Sequence, residues 1–397
     1  MCLLPASPPF GTRYTVPTGT IDAGEGAAGV DLVQTGGVNE ETAPVEPLTE
    51  EELRLAARNH GMPLEALQYP VTPVGMHYLL THFDIPVVDA ADWRLRVGGL
   101  VDRPLILSLD DVRSFPAATR ALTMECAGNG RTLMSPRALS QPWVLEAVGT
   151  GEWTGVPLAT VLGAGGVKDV AVDVVFTGGD RGIDGDIEQA FQRSLTVQEA
   201  NDSGALLAYD LNGAPLPPQH GFPLRLVVPG WYGMTNVKWL STIEVIDRPF
   251  TGYYQATSYN IRHQDDDLGE PVTRIVPRSL MVPPGIPDFY TRVRSLDAGT
   301  CEIVGRAWSG RAAISTVEFS HDGGSSWVAA EVEPPVLGEA AWQGWRVTWS
   351  ATPGEHKLCC RATDEVGNTQ PLEPEWNTGG YLNNAVQRVA VQVADAE

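Results

Sequence analysis

The sequence predicts an α+β protein in which a strand-rich mixed domain precedes an immunoglobulin-like β-sandwich. A chain of 397 residues is long enough for two domains. Its 31 prolines and 42 glycines favour many short strands and turns over long helices. A proline-rich stretch at 281–289 separates a mixed region from one that contains only strand and turn patterns. We expect an irregular arm over 1–48, a mixed domain over 49–286 and the sandwich over 287–397.

Local signals place a few short helices among the strands of the mixed domain. Thr49 begins a capping pattern for a helix that we expect to end at Gly61. Ser108 has the same place before a second short helix. The segment DIEQAFQRSLTVQEA, residues 186–200, also predicts a helix, and Asn212-Gly213 predicts the tip of a hairpin.

The last 110 or so residues alternate short strands with Gly and Asp turns, a spacing typical of a β-sandwich. Cys359 and Cys360 are neighbours in one predicted strand, so we expect one thiol in the core and the other at the surface. Cys301 lies in another strand and is expected in the core.

Composition limits the classes of partner. The formal net charge of −22 argues against non-specific nucleic-acid binding and would repel an anionic substrate unless local arginines reverse the field. No apolar run approaches the length of a membrane span, and the N-terminus lacks the pattern of a secretory signal. We therefore expect a cytoplasmic protein without membrane contact.

The five cysteines are odd in number and irregularly spaced, so they predict no disulfide framework. The absence of CxxC and CxxCH patterns argues against a structural zinc site and attached c-type haem.

Cys126, in the loop ECAGNGR, is the cysteine best placed for chemistry. Small neighbours allow a bulky group to approach, a thiolate is a soft ligand for a transition metal, and Arg131 could bring positive charge to an anion beside that metal. From these residues alone, a buried inert thiol above a glycine turn is the slightly favoured interpretation.

A second segment, QHGFPLRLVVPGWYGMTNVKWL at 219–240, carries His220, Arg225 and Lys238 around a strand and a glycine-rich loop. A strand arginine can hold a phosphate through its planar fork. The alternative is an ordinary strand with surface charges.

These two loops, together with FSHDGGSSW and WNTGGYLNNAVQRVAV near the C-terminus, resemble the sulfite oxidase family of molybdenum enzymes. The resemblance runs in order from about residue 70 to the end of the chain. It implies one molybdenum–molybdopterin cofactor in the first domain and a homodimer formed through the sandwich.

The resemblance also implies roles for individual residues. Cys126 matches the ligand of molybdenum, and Tyr259 matches the tyrosine beside the oxo group of the metal. The positions that match residues holding the pterin and its phosphate are His82, Asp180, His220, Arg225 and Lys238. Those that match the lining of the substrate pocket are Arg131 and Trp143.

Two departures from the family pattern concern the substrate. Leu80 stands where animal and plant sulfite oxidases have an arginine two residues before the histidine, and Gly379 replaces the arginine of their WNLRG stretch. Charged hydrogen bonds contribute roughly 1.5–3 kcal/mol each, so losing two should weaken anion capture unless another cation, such as Arg262 or His263, replaces them.

The leading hypothesis is oxidation of sulfite to sulfate, with electrons passed to an external acceptor such as a c-type cytochrome. A second hypothesis keeps the cofactor but changes the substrate to an S-oxide, an N-oxide or an oxyanion such as nitrate. A third is a non-catalytic dimeric scaffold. No haem-binding segment is found in the sequence, so an external acceptor is expected.

Overall fold

The structure is a computed structural model that describes residues 47–264 and 266–395. The irregular arm expected over residues 1–48 lies almost wholly outside these residues. The α-helices are α1 (Glu50–Ala56), α2 (Leu109–Ser114), α3 (Leu158–Gly165) and α4 (Val197–Asp202). Short 3₁₀ turns cover Leu64–Gln68, Val74–Met76, Arg131–Leu133, Pro218–His220 and Gly233–Thr235, and one π-helical turn covers Tyr254–Ser258. No helix among the described residues is long and apolar enough to cross a membrane.

The helix starts predicted from capping patterns are confirmed. In α1 the Thr49 hydroxyl accepts from the Glu52 N–H, and the Glu52 carboxylate accepts from the Thr49 N–H. Ser108 forms the equivalent pair with Asp111 in α2. The predicted end of α1 at Gly61 is wrong, because the helix stops at Ala56.

The mixed domain is built on two sheets. Its strands are β1 (Leu95–Gly99), β2 (Leu105–Leu107), β3 (Ala118–Glu125), β4 (Val148–Pro157), β5 (Asp173–Asp184), β6 (Ile187–Thr196), β7 (Leu206–Leu211), β8 (Ala214–Pro215), β9 (Arg225–Val227), β10 (Thr242–Ile246), β11 (Asn260–Ile261) and β12 (Glu270–Pro271). One sheet has the order β2-β1-β10-β5-β6, in which β1 and β10 are parallel. The other has the order β3-β4-β7-β8, with β9 paired to β7, while β11 and β12 form a small hairpin. The Asn212-Gly213 tip of the β7–β8 hairpin is confirmed, since both residues have positive φ.

The helix predicted over 186–200 is wrong for most of its length. Residues Ile187–Thr196 form β6, which pairs along β5, and only the end of the segment is helical, as the start of α4. Phe191, Arg193 and Leu195 lie two residues apart and are all buried, so the period is that of a strand. Long-range pairing with β5 overrides the helix propensity of the glutamine- and glutamate-rich sequence.

The C-terminal domain is a sandwich of two sheets, and the α+β fold class is confirmed. Its strands are β13 (Arg278–Met281), β14 (Ile286–Pro287), β15 (Arg294–Asp297), β16 (Gly299–Trp308), β17 (Ile314–Ser320), β18 (Val328–Ala329), β19 (Glu331–Val332), β20 (Gln343–Ala351), β21 (Gly354–Asp364) and β22 (Gln387–Ala394). The sheets have the orders β13-β16-β20-β19 and β14-β15-β22-β21-β17-β18. Buried residues of both sheets, such as Ile303, Trp345, Phe319 and Leu358, form one hydrophobic core. Strand β13 lies before the expected domain boundary at residue 286, yet it pairs with β16 of the sandwich. The boundary at residue 286 stays a prediction.

The prediction for the paired cysteines of β21 is wrong. Cys359 and Cys360 are both fully buried, because β21 is an interior strand with neighbours on both sides and both of its faces are covered there. Cys301 is only partly buried, against the expectation of a core position. Cys2 lies outside the described residues.

Candidate cofactor site

A cavity opens into the mixed domain where several loops and strand ends meet. The loop after Val74–Met76 forms one wall, and the end of β3 brings in Cys126. The opposite walls come from β5, β6 and the 220–238 segment. Of the predicted site residues, the cavity is lined by His82, Cys126, Asp180, His220, Arg225, Lys238 and Tyr259. The fold thus brings together residues that lie up to 177 positions apart in the chain.

Cys126 presents a free thiol to this cavity. It follows directly on β3, and its N–H donates to the Ala147 carbonyl at 2.9 Å, which fixes its backbone. Burial raises the pKa of the thiol, while the Arg131 guanidinium and the Gly128 N–H oppose that shift. No cluster of three or more His, Cys, Asp or Glu that could hold a metal occurs among the described residues. A metal bound at Cys126 would therefore take its other ligands from a cofactor.

Arg225 and Lys238 place two buried cations in the wall of the cavity. The Arg225 guanidinium donates to the carbonyls of His220 and Asn236, both at 3.0 Å, and lies 4.8 Å from the Trp153 ring. Lys238 Nζ donates to the carbonyls of Leu80 at 2.8 Å and Gln219 at 3.1 Å.

Neither cation forms a salt bridge with a carboxylate of the described chain. Burial lowers the pKa of Arg225 to about 10 and also lowers the pKa of Lys238, so burial disfavours both charges, although the Asp180 carboxylate partly offsets this for Lys238. Buried cations are normally paired, and an anion such as a phosphate would supply the missing partner.

Several buried polar atoms around the same cavity have no hydrogen-bond partner. They are Nε2 of His77, Oδ1 of Asp180 and Nε of Arg225. Unpaired buried groups of this kind are rare in folded proteins and point to a bound group. A pterin offers donors and acceptors along its ring edges, and its phosphate offers charge. The donors, acceptors and cations of the cavity therefore fit a molybdopterin.

His82 and Tyr259 form a hydrogen-bonded pair inside the cavity. Nε2 of His82 lies 2.7 Å from the Tyr259 hydroxyl, and the His82 ring packs 4.8 Å from Phe191. Burial, with a smaller contribution from Lys238, lowers the pKa of His82 to about 4, so the imidazole is neutral near pH 7. The π-helical turn Tyr254–Ser258 ends immediately before Tyr259 and sets its position.

Arg131 and Trp143, the predicted substrate-pocket residues, lie beside Cys126 but are not part of the cavity wall. Arg131 Nε donates to the Gly379 carbonyl at 3.0 Å, and its Nη1 donates to the Gln141 carbonyl at 3.1 Å. Trp143 packs in the same apolar cluster as Cys126. The predicted replacement cations do not reach the cavity either: Arg262 is half-buried, and exposed His263 bonds the Trp376 carbonyl.

Sequence reasoning missed several residues that line the cavity, among them His77, Tyr78, Phe191 and Asn236. His77 is buried, and its ring lies 5.5 Å from that of His220. The sequence offers one hint that His77 belongs to the site, namely its position five residues before His82, which was predicted to bind the cofactor. Phe191 could not be found, because its segment was assigned to a helix.

The buried histidines make the stability of the cofactor-free protein depend on pH. Burial lowers the pKa of His77 to about 4, from an ordinary value near 6.5. Because the unfolded chain binds the proton more readily, the stabilisation is complete above about pH 6.5 and is lost as pH falls towards 4. This shift corresponds to about 3 kcal/mol for His77 alone.

We expect urea unfolding of cofactor-free protein between pH 7.5 and 4.5 to show this loss, and His77→Gln to reduce the slope. The matched control is His263→Gln at an exposed site, which should leave the slope unchanged. Equal slopes in the wild type and His77→Gln would contradict the prediction.

Comparison with known proteins agrees with the fold and the cavity. The family model for the oxidoreductase molybdopterin binding domain matches residues 82–254, and the model for the Mo-co oxidoreductase dimerisation domain matches residues 286–394. Mitochondrial sulfite oxidase of Mus musculus is 34% identical over 346 residues, which cover 81% of this chain and 62% of the mouse protein. NADH nitrate reductase of Solanum lycopersicum is 30% identical over 369 residues, covering 84% of this chain and 40% of that protein.

Among solved structures, the sulfane dehydrogenase SoxCD from Paracoccus pantotrophus superposes with a TM-score of 0.73 at 25% identity. The match covers 92% of this chain and 97% of that chain. The two domains and the thiol-bearing cavity define a molybdopterin-binding oxidoreductase fold. The chain belongs to the sulfite oxidase family of molybdopterin oxidoreductases. It spans 62% of the length of the mammalian sulfite oxidases that it matches.

Proposed function

We propose that the protein oxidises sulfite to sulfate and passes the electrons to an external acceptor such as a c-type cytochrome. Sulfite and one water give sulfate, two electrons and two protons. The observation that carries the proposal is the cavity itself, which is lined by one free thiol and by two buried cations that form no salt bridge with a carboxylate of the described residues. The similarity to sulfite oxidases supports the choice of sulfite.

The residues have separate tasks in this proposal. Arg225 and Lys238 hold the phosphate of the cofactor, and His220, His77 and Asp180 bond the pterin. When bound, the molybdenum supplies two-electron redox chemistry and oxygen-atom transfer, with Cys126 as its protein ligand. The Tyr259 hydroxyl, held by His82, offers a hydrogen bond to an oxygen atom of the substrate. The dimerisation domain supports a homodimer.

The first experiment is sulfite-dependent reduction of ferricyanide by protein whose molybdenum content has been measured. We expect turnover per molybdenum, and we expect Leu80→Arg to lower the KM for sulfite, because Leu80 lines the cavity and arginine adds a cation there. Molybdenum-loaded protein without sulfite turnover would overturn the proposal. A protein that takes up no molybdenum in cofactor-competent cells would instead favour the scaffold hypothesis.

A second candidate is the oxidation of a sulfane sulfur atom, in which water supplies each oxygen and each addition releases two electrons and two protons. The similarity to sulfane dehydrogenase supports it, together with the neutral aromatic character of the wall formed by His82, Phe191 and Tyr259. Turnover of glutathione persulfide without turnover of sulfite would favour this candidate.

A further inference from the structure

Gly379 does not leave open space where the family resemblance expects an arginine. A Cβ atom added at Gly379 would lie 2.3 Å from Cε2 and 2.6 Å from Cδ2 of Tyr381. Contacts this short do not occur between real side chains, so the ring of Tyr381 already fills the space into which a side chain at position 379 would point.

The same ring covers Arg131. The guanidinium carbon of Arg131 lies 5.3 Å from the centre of the Tyr381 ring, within the range of a cation–π contact. On its other side the guanidinium packs against Gly128, where an added Cβ would lie 2.5 Å from Nη2. With its hydrogen bonds to Gly379 and Gln141, Arg131 is enclosed and only 4% exposed.

Tyr381 also reaches the cavity through Tyr259, since the two rings lie 5.3 Å apart. Tyr381 therefore lies between Arg131, which the family resemblance assigns to substrate binding, and Tyr259, which lines the cavity. The wall of the cavity beside Tyr259 carries His82, Phe191 and Leu80. The nearest cations there are Lys238, which donates to the Leu80 carbonyl, and buried Arg193, whose guanidinium carbon lies 5.7 Å from the centre of the Tyr259 ring.

The loop that carries Tyr381 is firmly attached in this position. Asn377 forms two hydrogen bonds with the backbone of Tyr381, at 2.8 and 2.9 Å. The Leu382 N–H donates to the Ala127 carbonyl at 2.9 Å, and Asn383 Nδ2 donates to the Gly130 carbonyl at 2.7 Å. The sandwich domain thus fastens the ring of Tyr381 onto the Cys126–Arg131 loop.

We propose that Tyr381 is a specificity-determining residue, which limits direct contact between a substrate and cationic side chains by filling the space beside Gly379 and by covering Arg131. The inference rests on the proposed function and defines its substrate class: the site favours a small sulfur substrate of low charge over a multiply charged oxyanion. Sulfite would be captured mainly as its singly charged form, hydrogensulfite.

The test compares Gly379→Arg, Tyr381→Ala and the double variant, as holoproteins. Equilibrium dialysis with labelled sulfate measures oxyanion binding without turnover, and thermal unfolding measures the steric conflict. We expect Gly379→Arg to lower the melting temperature without tightening sulfate binding. Adding Tyr381→Ala should recover most of the lost melting temperature and tighten sulfate binding by about tenfold or more relative to the wild type.

Tyr381→Phe is the matched control, because it keeps the ring and removes only the hydroxyl; it should leave sulfate binding within about twofold of the wild type, well under the effect of one charged hydrogen bond. A stable Gly379→Arg variant that binds sulfate more tightly would overturn the proposal, and so would a double variant that binds no more tightly than the wild type. If sulfate binding responds as expected while no variant oxidises sulfite, the inference about Tyr381 stands and the proposed sulfite oxidation fails.

Discussion

Replacement of Cys126 by serine is expected to lower kcat for sulfite by more than about a hundredfold. Losing a residue that only hydrogen-bonds a metal ligand typically costs up to about a hundredfold, and losing the ligand itself should cost more. Cys126 is the one thiol that the described residues present to the cavity, and a serine hydroxyl is a harder donor that keeps its proton. The measurement is ferricyanide reduction per molybdenum, combined with the visible absorption that a thiolate–metal bond gives to the holoprotein.

The matched control is Cys301→Ser, which alters a partly buried thiol in the sandwich, away from the cavity. It should keep both turnover and absorption. Full turnover by Cys126→Ser at normal molybdenum content would show that the thiol is no ligand, and the assignment of the site would be wrong.

The parts of the fold that the sequence predicts are those set by neighbouring residues. The capping pairs of Thr49 with Glu52 and the Asn212-Gly213 turn involve residues at most three positions apart, so their chemistry is visible in the sequence. The assignment of 187–196 failed for the opposite reason. Its strand depends on pairing with β5, and its local composition favours a helix.

The candidate site divides in the same way. Cys126, Arg225 and Lys238 could be selected because a soft thiol in a glycine loop and cations among apolar residues are unusual in any sequence. The surroundings of Arg131 could not be foreseen, because they depend on Gly379 and Tyr381, about 250 residues later and in the other domain. Only the folded chain shows that this arginine is covered.

A buried ion pair next to Cys126 leads to the largest expected effect on stability. Glu125 and Arg278 are 1% and 2% exposed, and the Arg278 Nε lies 2.9 Å from Glu125 Oε1. The Trp308 indole N–H donates to Glu125 Oε2 at 2.8 Å, and Asn129 Nδ2 donates to Oε1 at 3.0 Å. Because Glu125 ends β3 while Arg278 and Trp308 belong to sandwich strands, this carboxylate joins the two domains directly behind the thiol.

Glu125→Gln is expected to lower the free energy of unfolding by about 3–5 kcal/mol, because it leaves Arg278 buried without a counter-charge. The matched control is Glu331→Gln, which breaks an exposed pair with Arg346 and should cost far less, because solvent screens this pair. Denaturant unfolding of both variants measures the difference.

The double variant Glu125→Gln/Arg278→Met should lose less stability than Glu125→Gln alone, since it also removes the cation that would be left without a counter-charge. Equal destabilisation by Glu125→Gln and Glu331→Gln would show that the pair contributes no more than a surface contact, and the joint between the domains would then depend on apolar packing.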